Sequence, residues 1–180
     1  MDFNLFNKGL TTLKGIEFPP NVTTFDCDGN RLTTLEGCPP SVKTLYCSYN
    51  QLITLKGCPP SVKTLYCHRN QLTTLEGCPP SITILYCSSN QLTTLEGCPP
   101  TVIKLDYYKN PSVDQYKNKT LDEIHNINRI KALKRGISLI NNLLSALKIQ
   151  RCWRKWWYEE LDSDGVNRFI RKSFIEFQNI

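Results

Sequence analysis

The chain has 180 residues, with 22 basic and 16 acidic side chains, two histidines and nine cysteines, and its formal net charge is +6. This length allows one domain or two. No uncharged apolar run approaches the roughly 20 residues that a transmembrane helix needs. The composition therefore excludes a membrane-spanning protein and predicts a soluble chain without a membrane partner.

A period of twenty residues organises the first part of the chain. Its clearest marker is an asparagine that returns at the same place in each copy: Asn30, Asn50, Asn70, Asn90 and Asn110. A unit of this size is too small to bury a core alone, so neighbouring copies must stack and share one apolar interior. The period therefore predicts a solenoid, with the asparagines in a structural role.

Each unit is expected to supply one short β-strand. In a representative unit, Leu45 and Cys47 alternate with residues suited to an exposed face, which is the pattern of a strand with one side buried. Asn50 follows, and its side-chain amide can bond backbone groups where the chain leaves the strand. Gly57 and the pair Pro59–Pro60 exclude a regular helix on the return and favour an extended, polyproline-like path.

The copies define the organisation of the chain. Clean copies begin at Val22, Val42, Val62, Ile82 and Val102. An earlier partial copy containing Leu10 and Leu13 is two residues longer, and apolar residues such as Phe3 precede it, so this segment is expected to cover the first layer of the core. We therefore expect an N-terminal cap and partial repeat over residues 1–21, five repeats over 22–111, and a helical C-terminal cap or tail over 112–180.

The repeated string LxxLxLxxNxL, carried in one unit by Leu45, Cys47, Asn50 and Leu52, resembles the leucine-rich repeat. Its twenty-residue length and its Pro-Pro pair resemble the shortest class of that family. The phrase LEGCPPS is similar to paralogous repeat proteins of large amoeba-infecting DNA viruses and, more distantly, to bacterial leucine-rich-repeat effectors. The resemblance covers about residues 10 to 111. It implies an α/β solenoid with a parallel β-sheet on the concave face and extended returns on the convex face.

Eight of the nine cysteines lie in the repeats, in two registers that both fall at predicted core positions. Such buried positions, together with the lack of a secretory segment, predict reduced thiols in the cytoplasm, or the host cytoplasm for a viral protein. The gaps between cysteines alternate between eleven and nine residues, unlike the short spacing of zinc ligands, so no metal or other cofactor is predicted. The registers are Cys27, Cys47, Cys67 and Cys87, and Cys38, Cys58, Cys78 and Cys98.

Strand residues that point away from the core should form stripes along the concave face. The central stripe consists of Asp26, Tyr46, Tyr66, Tyr86 and Asp106. Stacked tyrosines offer a large contact area with hydroxyl groups, which is typical of protein-binding surfaces, although aromatic pairs also stabilise a sheet that binds nothing. His68, Arg69 and Tyr108 vary the neighbouring positions and are expected to join the tyrosines in contacting a protein partner of unknown identity.

The period stops after Asn110, and a helical region follows. Thr120 and Glu123 fit a capping box. Apolar residues then recur at steps of three and four, which predicts an amphipathic helix that is interrupted near Gly136. A shorter closing helix is predicted over residues 166–177. The apolar residues of the first helix are Ile124, Ile127, Ile130, Leu133, Ile137, Ile140, Leu144 and Leu147.

Two roles are open for this apolar stripe. The simplest is a lid over the exposed last repeat. The spacing from Ile130 to Leu147 also matches a heptad pattern, so the chain is expected to be a monomer or a weak homodimer through this helix. Trp153, Trp156 and Trp157 lie at helical spacing and are expected to pack inside the cap.

An alternative binding role rests on charge. No acidic residue occurs between Ile124 and Tyr158, whereas basic residues accumulate there: Arg129, Lys131, Lys134, Arg135, Lys148, Arg151, Arg154 and Lys155. These basic, tryptophan-rich helices could bind nucleic acid or an acidic partner, although no nucleic-acid-binding motif accompanies them. No nucleophile, base or metal cluster converges in the pattern, so we predict no catalytic residues and no enzyme. The favoured function is protein–protein interaction through the concave face.

Overall fold

The computed structural model describes residues 1–111 and 113–159, without the side chains of residues 114 and 148–159. The chain divides into two compact units, Met1–Ile130 and a second that begins at Lys131. The strands are β1 (Asp2–Asn4), β2 (Thr24–Asp26), β3 (Thr44–Tyr46), β4 (Thr64–Tyr66), β5 (Ile84–Tyr86) and β6 (Lys104–Asp106). A 3-10 helix at Asp114–Tyr116 and the α-helix α1 (Leu121–Glu159) follow.

The strands form one parallel sheet in chain order, which confirms the predicted α/β solenoid. Equivalent residues pair across each boundary, as Thr44 does with Thr64 and Tyr46 with Tyr66. The first boundary is different, because Asp2 pairs with Thr24 at an offset of 22 residues. The two-residue extension of the partial copy absorbs that offset. The sequence had predicted only apolar cover at this end, whereas the segment supplies a sixth strand.

The central residue of each internal strand points into the core. Phe25, Leu45, Leu65 and Leu85 are fully buried. At the N-terminal end, the rings of Phe3 and Phe18 lie 5.3 Å apart, and Phe18 packs edge-on against Phe25 at 5.3 Å. Burying an apolar side chain of this size stabilises a fold by about 1.5–3 kcal/mol, so these contacts hold the non-repetitive end to the first full repeat.

The two cysteine registers differ in burial. The strand register, represented by Cys47, is fully buried. In the return register, Cys98 is buried but Cys38, Cys58 and Cys78 are only partly buried. The second register therefore packs against the core, and of its four cysteines only Cys98 is buried in it. These cysteines precede the Pro-Pro pairs, where a thin extended return leaves little chain to cover them.

The asparagine side chains bridge neighbouring units. Asn50 donates from Nδ2 to the carbonyl oxygen of Cys27 at 2.9 Å and to its own unit's Ser48 at 3.1 Å. Its Oδ1 accepts from the backbone N–H of Leu32 at 2.9 Å. The same arrangement recurs at Asn70, where Oδ1 accepts from the N–H of Leu52. Each asparagine thus satisfies backbone groups that leave the sheet and would otherwise be buried without a partner.

Glycine shapes the returns. Gly57 has a φ of +86°, and a Cβ built there would overlap the backbone of Leu35 and Glu36 in the preceding unit. Both the left-handed conformation and the close approach require glycine. In each proline pair of the repeats, the first proline is buried and the second is exposed, as with Pro59 and Pro60.

The last repeat is closed by the segment after Asn110. Val113, Tyr116 and Ile124 are buried with the core. The Tyr116 hydroxyl lies 3.1 Å from Thr94 Oγ1, and its backbone carbonyl accepts from the Tyr107 hydroxyl at 2.8 Å. These contacts confirm the helical cap.

The start of α1 confirms the capping box. Thr120 Oγ1 accepts from the Glu123 N–H at 3.3 Å, while a Glu123 carboxylate oxygen accepts from the Thr120 N–H at 2.7 Å. Asn128 anchors the helix further along, because its Nδ2 donates to the carbonyl oxygen of Leu95 at 2.8 Å. The predicted interruption at Gly136 is wrong, since α1 runs from Leu121 to Glu159.

The later part of α1 differs from the predicted lid. Among the apolar residues of α1 whose side chains are described, only Leu121, Ile124 and Ile127 pack with the core. The following stripe is exposed: Ile130, Leu133, Ile137, Ile140, Leu144 and Leu147. The predicted closing helix and the packing of Trp153, Trp156 and Trp157 lie outside the described residues and side chains. Within the described part of the chain, no helix has the length and apolarity needed to cross a bilayer.

Candidate functional site

Three tyrosines form a continuous stack on the side of the sheet that faces away from the core. Tyr46, Tyr66 and Tyr86 each end a strand and stand next to one another in register. The ring centroids are separated by 4.5 Å between Tyr46 and Tyr66 and by 4.7 Å between Tyr66 and Tyr86. The rings are nearly parallel, with interplanar angles of 8° and 7°. All three side chains are partly exposed, so the stack presents ring edges and hydroxyl groups to solvent.

The phenol group of Tyr66 favours its neutral form. Burial raises the pKa of Tyr66, and the neighbouring Tyr46 and Tyr86 raise it further. Lys104 places its Nζ 5.2 Å from the ring centroid of Tyr86. A hydrogen bond with Tyr86 raises the pKa of Lys104, which stays protonated at neutral pH. The stack therefore offers hydroxyl donors and acceptors and ends beside a cation.

Carboxylates occupy the same row on the flanking strands, since Asp26 pairs with Tyr46 and Asp106 with Tyr86. Asp26 is held on both oxygens: Oδ2 accepts from Asn4 Nδ2 at 3.1 Å, and Oδ1 accepts from the Asp28 N–H at 3.0 Å. Both bonds hold the carboxylate in position.

The next row contains a polar cluster. Ser48 Oγ lies 2.9 Å from His68 Nδ1, and the Ser48 N–H donates to an Asp28 carboxylate oxygen. Burial raises the pKa of Asp28 to about 6, although its bonds with Ser48 oppose the shift. Burial and the nearby Arg69 lower the pKa of His68, with Asp106 acting in the opposite direction. His68 is therefore neutral at neutral pH.

The structure adds Tyr49 to the predicted residues. Its ring meets His68 edge-on at 5.4 Å, and the guanidinium of Arg69 lies 5.0 Å from the ring centroid. Tyr49 is half-exposed. The sequence carried a signal, because the corresponding position holds a different residue in every unit: Gly29, Tyr49, Arg69, Ser89 and Lys109.

Tyr108 stands apart from this cluster. It is 72% exposed, and Lys109 places its Nζ 5.8 Å from the ring centroid. A cleft of about 470 Å³ adjoins it at the β6 edge, between residues 105–110 and the loop that contains Val113 and Lys117. The predicted site residues therefore occur in three groups: the tyrosine stack with its carboxylates, His68 and Arg69 beside Tyr49, and Tyr108 at this edge.

The basic residues of the alternative site lie on α1. Arg129, Lys134 and Arg135 are exposed, and Lys131 is partly buried. The side chains of Arg151, Arg154 and Lys155 are outside the described set. Arg129 belongs to the first compact unit and the others to the second.

The thiols are poorly suited to chemistry. Burial raises the pKa of Cys38 and of Cys98 to about 12, and it raises the pKa of Cys47 and Cys67 well above the ordinary value. Because the thiolate is the reactive form, these groups are inert at neutral pH. In the part of the chain that the structure describes, no group of three His, Cys, Asp or Glu side chains could hold a metal ion.

Comparison with known proteins supports the fold. Neither a family model nor a curated protein matches the sequence. Among solved structures, the leucine-rich repeat protein YopM from Yersinia enterocolitica WA-314 is similar, with a TM-score of 0.53 and 33% identity over 61% of this chain. The match spans 24% of the YopM chain. Proteins of this architecture typically use their repeat surface as a protein-interaction surface. The twenty-residue units, the parallel sheet and this similarity establish that the chain has the leucine-rich repeat solenoid fold with a helical C-terminal cap.

Proposed function

We propose that this protein is a non-catalytic interaction module that binds a protein partner on the concave face of its solenoid. The observation that carries the proposal is the stack of Tyr46, Tyr66 and Tyr86, three partly exposed aromatic rings in one row. We call these residues, with Asp26 and Asp106, the tyrosine face.

Tyrosine suits such a face because of its rigidity. It has few rotatable bonds, so a partner that covers it gains a large contact area at low cost in side-chain entropy. The ring stack restricts these side chains before binding, which lowers the cost further. The competing explanation is architectural, since cross-strand aromatic pairs contribute about 0.2–1 kcal/mol each to a sheet. Threonine, which occupies the adjacent row at Thr44 and Thr64, would also suit a strand but would offer a partner much less area.

The cluster of Tyr49, His68 and Arg69 supplies the specificity in this proposal. These side chains lie beside the tyrosine face and are not repeated in the other units. Arg69 and the neutral His68 ring provide donors and, for His68, an acceptor next to an apolar ring. A partner that contacts the stack can therefore be selected by this neighbouring cluster.

A matched pair of triple variants tests the proposal. Replacing Tyr46, Tyr66 and Tyr86 with alanine should abolish capture of the partner from native cell extract, as identified by mass spectrometry. The control replaces the exposed residues Gln51, Gln71 and Gln91 with alanine, which changes the same number of side chains, one per unit, outside the tyrosine face. Circular dichroism should show both variants folded. Unchanged capture by the tyrosine variant would place the binding site elsewhere.

Self-association through α1 is a second candidate, and the exposed stripe from Ile130 to Leu147 supports it. A second copy would cover these residues at heptad spacing. Nucleic-acid binding by the basic residues of α1 is the remaining alternative, supported by the absence of acidic residues from Ile124 to Tyr158.

We further infer that the protein works in a reducing compartment, such as the cytoplasm. All eight cysteines of the repeats are free thiols, and most are buried. The length of the repeat and its LEGCPPS phrase support membership of the shortest leucine-rich repeat class and a kinship with the repeat proteins of large DNA viruses.

A further inference from the structure

The tyrosine stack ends differently at its two edges. At the β6 edge, Lys104 places its Nζ 5.2 Å from the Tyr86 ring centroid, so a cation continues the column of rings. At the β2 end of the stack, Thr24 occupies the strand position that Lys104 occupies in β6. Successive strand pairings connect the two positions by way of Thr44, Thr64 and Ile84. The Thr24 side chain is too short to extend over the Tyr46 ring as Lys104 extends over Tyr86, and it carries no charge. The ring face of Tyr46 that points toward β2 therefore has no equivalent cation from its own row.

The row of rings is not continued on the β2 side of Tyr46. The rings repeat at 4.5 Å and 4.7 Å, and the adjacent strand places Asp26 in the next position of the row. A carboxylate is much shorter than a tyrosine ring, so this row supplies no ring in the layer above Asp26. Among the residues that the structure describes, no other ring or cation lies over this face of Tyr46.

The base of this layer is acidic and fixed in position. Asp26 is held by Asn4 and by the backbone of Asp28, with one hydrogen bond to each oxygen. Each carboxylate oxygen accepts more than one hydrogen bond, so both retain capacity for a donor from above. Asp28 adds negative charge near Asp26 once the pH exceeds its raised pKa of about 6.

We propose that the layer above the Asp26 carboxylate, beside the Tyr46 ring, binds the guanidinium group of an arginine side chain from the protein partner. This inference rests on the proposed function of the tyrosine face and specifies the chemistry of its ligand. A guanidinium is planar, so it stacks parallel to a ring and directs two N–H donors toward a carboxylate. An ammonium group satisfies the charge but not the stacking. Arginine is therefore preferred to lysine.

The other end of the stack serves as an internal precedent. Asp106 occupies the position that corresponds to Asp26, and Lys104 supplies the cation beside Tyr86. The protein thus fills one end of the column with its own side chain and leaves the matching end for a ligand. This symmetry predicts that a lysine at position 24 closes the site, and that removal of Lys104 opens a second one.

The experiment is an NMR titration of the full chain, with labelled tyrosine rings, using N-acetyl-arginine amide as the probe. The neutral isostere N-acetyl-citrulline amide is the control ligand. Arginine amide should shift the Tyr46 ring signals saturably, and citrulline amide should not. Thr24→Lys should weaken the effect at Tyr46 by about tenfold or more, in line with the loss of a cation–π contact and an ion pair. Lys104→Ala should add a second saturable shift at Tyr86.

Two results would overturn the inference: equal shifts from citrulline amide, or an unchanged arginine response in the folded Thr24→Lys variant. The Asp26→Asn variant provides a second test, because it should weaken arginine binding while leaving the ring stack in place. Partner capture separates this inference from the broader function. Capture that survives Thr24→Lys but is lost on replacement of the three tyrosines refutes the arginine site and supports the face. Capture that survives the tyrosine replacement refutes the face, and the titration then decides the arginine site alone.

Discussion

Replacing Asn70 with alanine should destabilise the solenoid by roughly 3 kcal/mol. The backbone N–H of Leu52 donates to Asn70 Oδ1 at 2.9 Å and would be left buried without a partner, which costs about 1–3 kcal/mol. The carbonyl oxygens of Cys47 and Cys67 would each lose one donor, at 2.9 Å and 3.1 Å, but would keep a second from a neighbouring asparagine. Each lost bond with a remaining partner costs about 0.5–1.5 kcal/mol.

The assay is urea unfolding followed by far-ultraviolet circular dichroism, with the slope compared as well as the midpoint. Gln71→Ala is the matched control, because the adjacent Gln71 side chain is exposed and its replacement should change stability by less than about 0.5 kcal/mol. Asn70→Asp keeps the acceptor for Leu52 but places a carboxylate against two carbonyl oxygens. A loss below about 1 kcal/mol for Asn70→Ala would refute the role assigned to the asparagine ladder.

Three other predictions concern the returns, the thiols and the helix. Gly57→Ala should destabilise the fold strongly, because a Cβ there overlaps the backbone of the preceding unit. Gly136→Ala should instead stabilise α1 by about 1 kcal/mol, because open space surrounds Gly136. Urea midpoints that move in the same direction for both variants would contradict this prediction. Burial raises the pKa of the Cys47 and Cys67 thiols. Their contribution to stability is therefore complete below the unfolded pKa of 9.0 and is lost as the pH rises above it. The free energy of unfolding should fall between pH 7 and about 10, and it should fall less in Cys47→Ala. Sedimentation velocity should show self-association that strengthens as salt is added, because salt screens the repulsion between basic helices. Leu144→Asn should abolish this self-association. Nucleic-acid binding would instead weaken with salt.

The repeats were predictable because their information is local and repeated. Alternation at Leu45 and Cys47 identifies the strand, and five copies at equal spacing permit one register in which like residues pair. The row of Tyr46, Tyr66 and Tyr86 follows directly from that register. The capping box at the start of α1 was predictable for the same reason, since it involves residues only three positions apart.

The ends depended on contacts that no local pattern contains. Strand β1 forms because the exposed edge of β2 offers unpaired backbone groups and because Phe3 can pack with Phe18 and Phe25. Gly136 stays helical because one glycine costs an α-helix only about 1 kcal/mol, which its neighbours outweigh.

The extent of the cap was likewise decided by tertiary packing. Tyr116, which the sequence did not single out, is fully buried and fills part of the space assigned to the apolar stripe. Ile124 packs with the core, but Leu133, nine residues later, falls on the opposite side of an α-helix. The sequence by itself determined the repeating interior, where every unit meets a copy of itself. Only the tertiary structure decided the two ends, where each residue meets a different partner and no repetition restricts the choice.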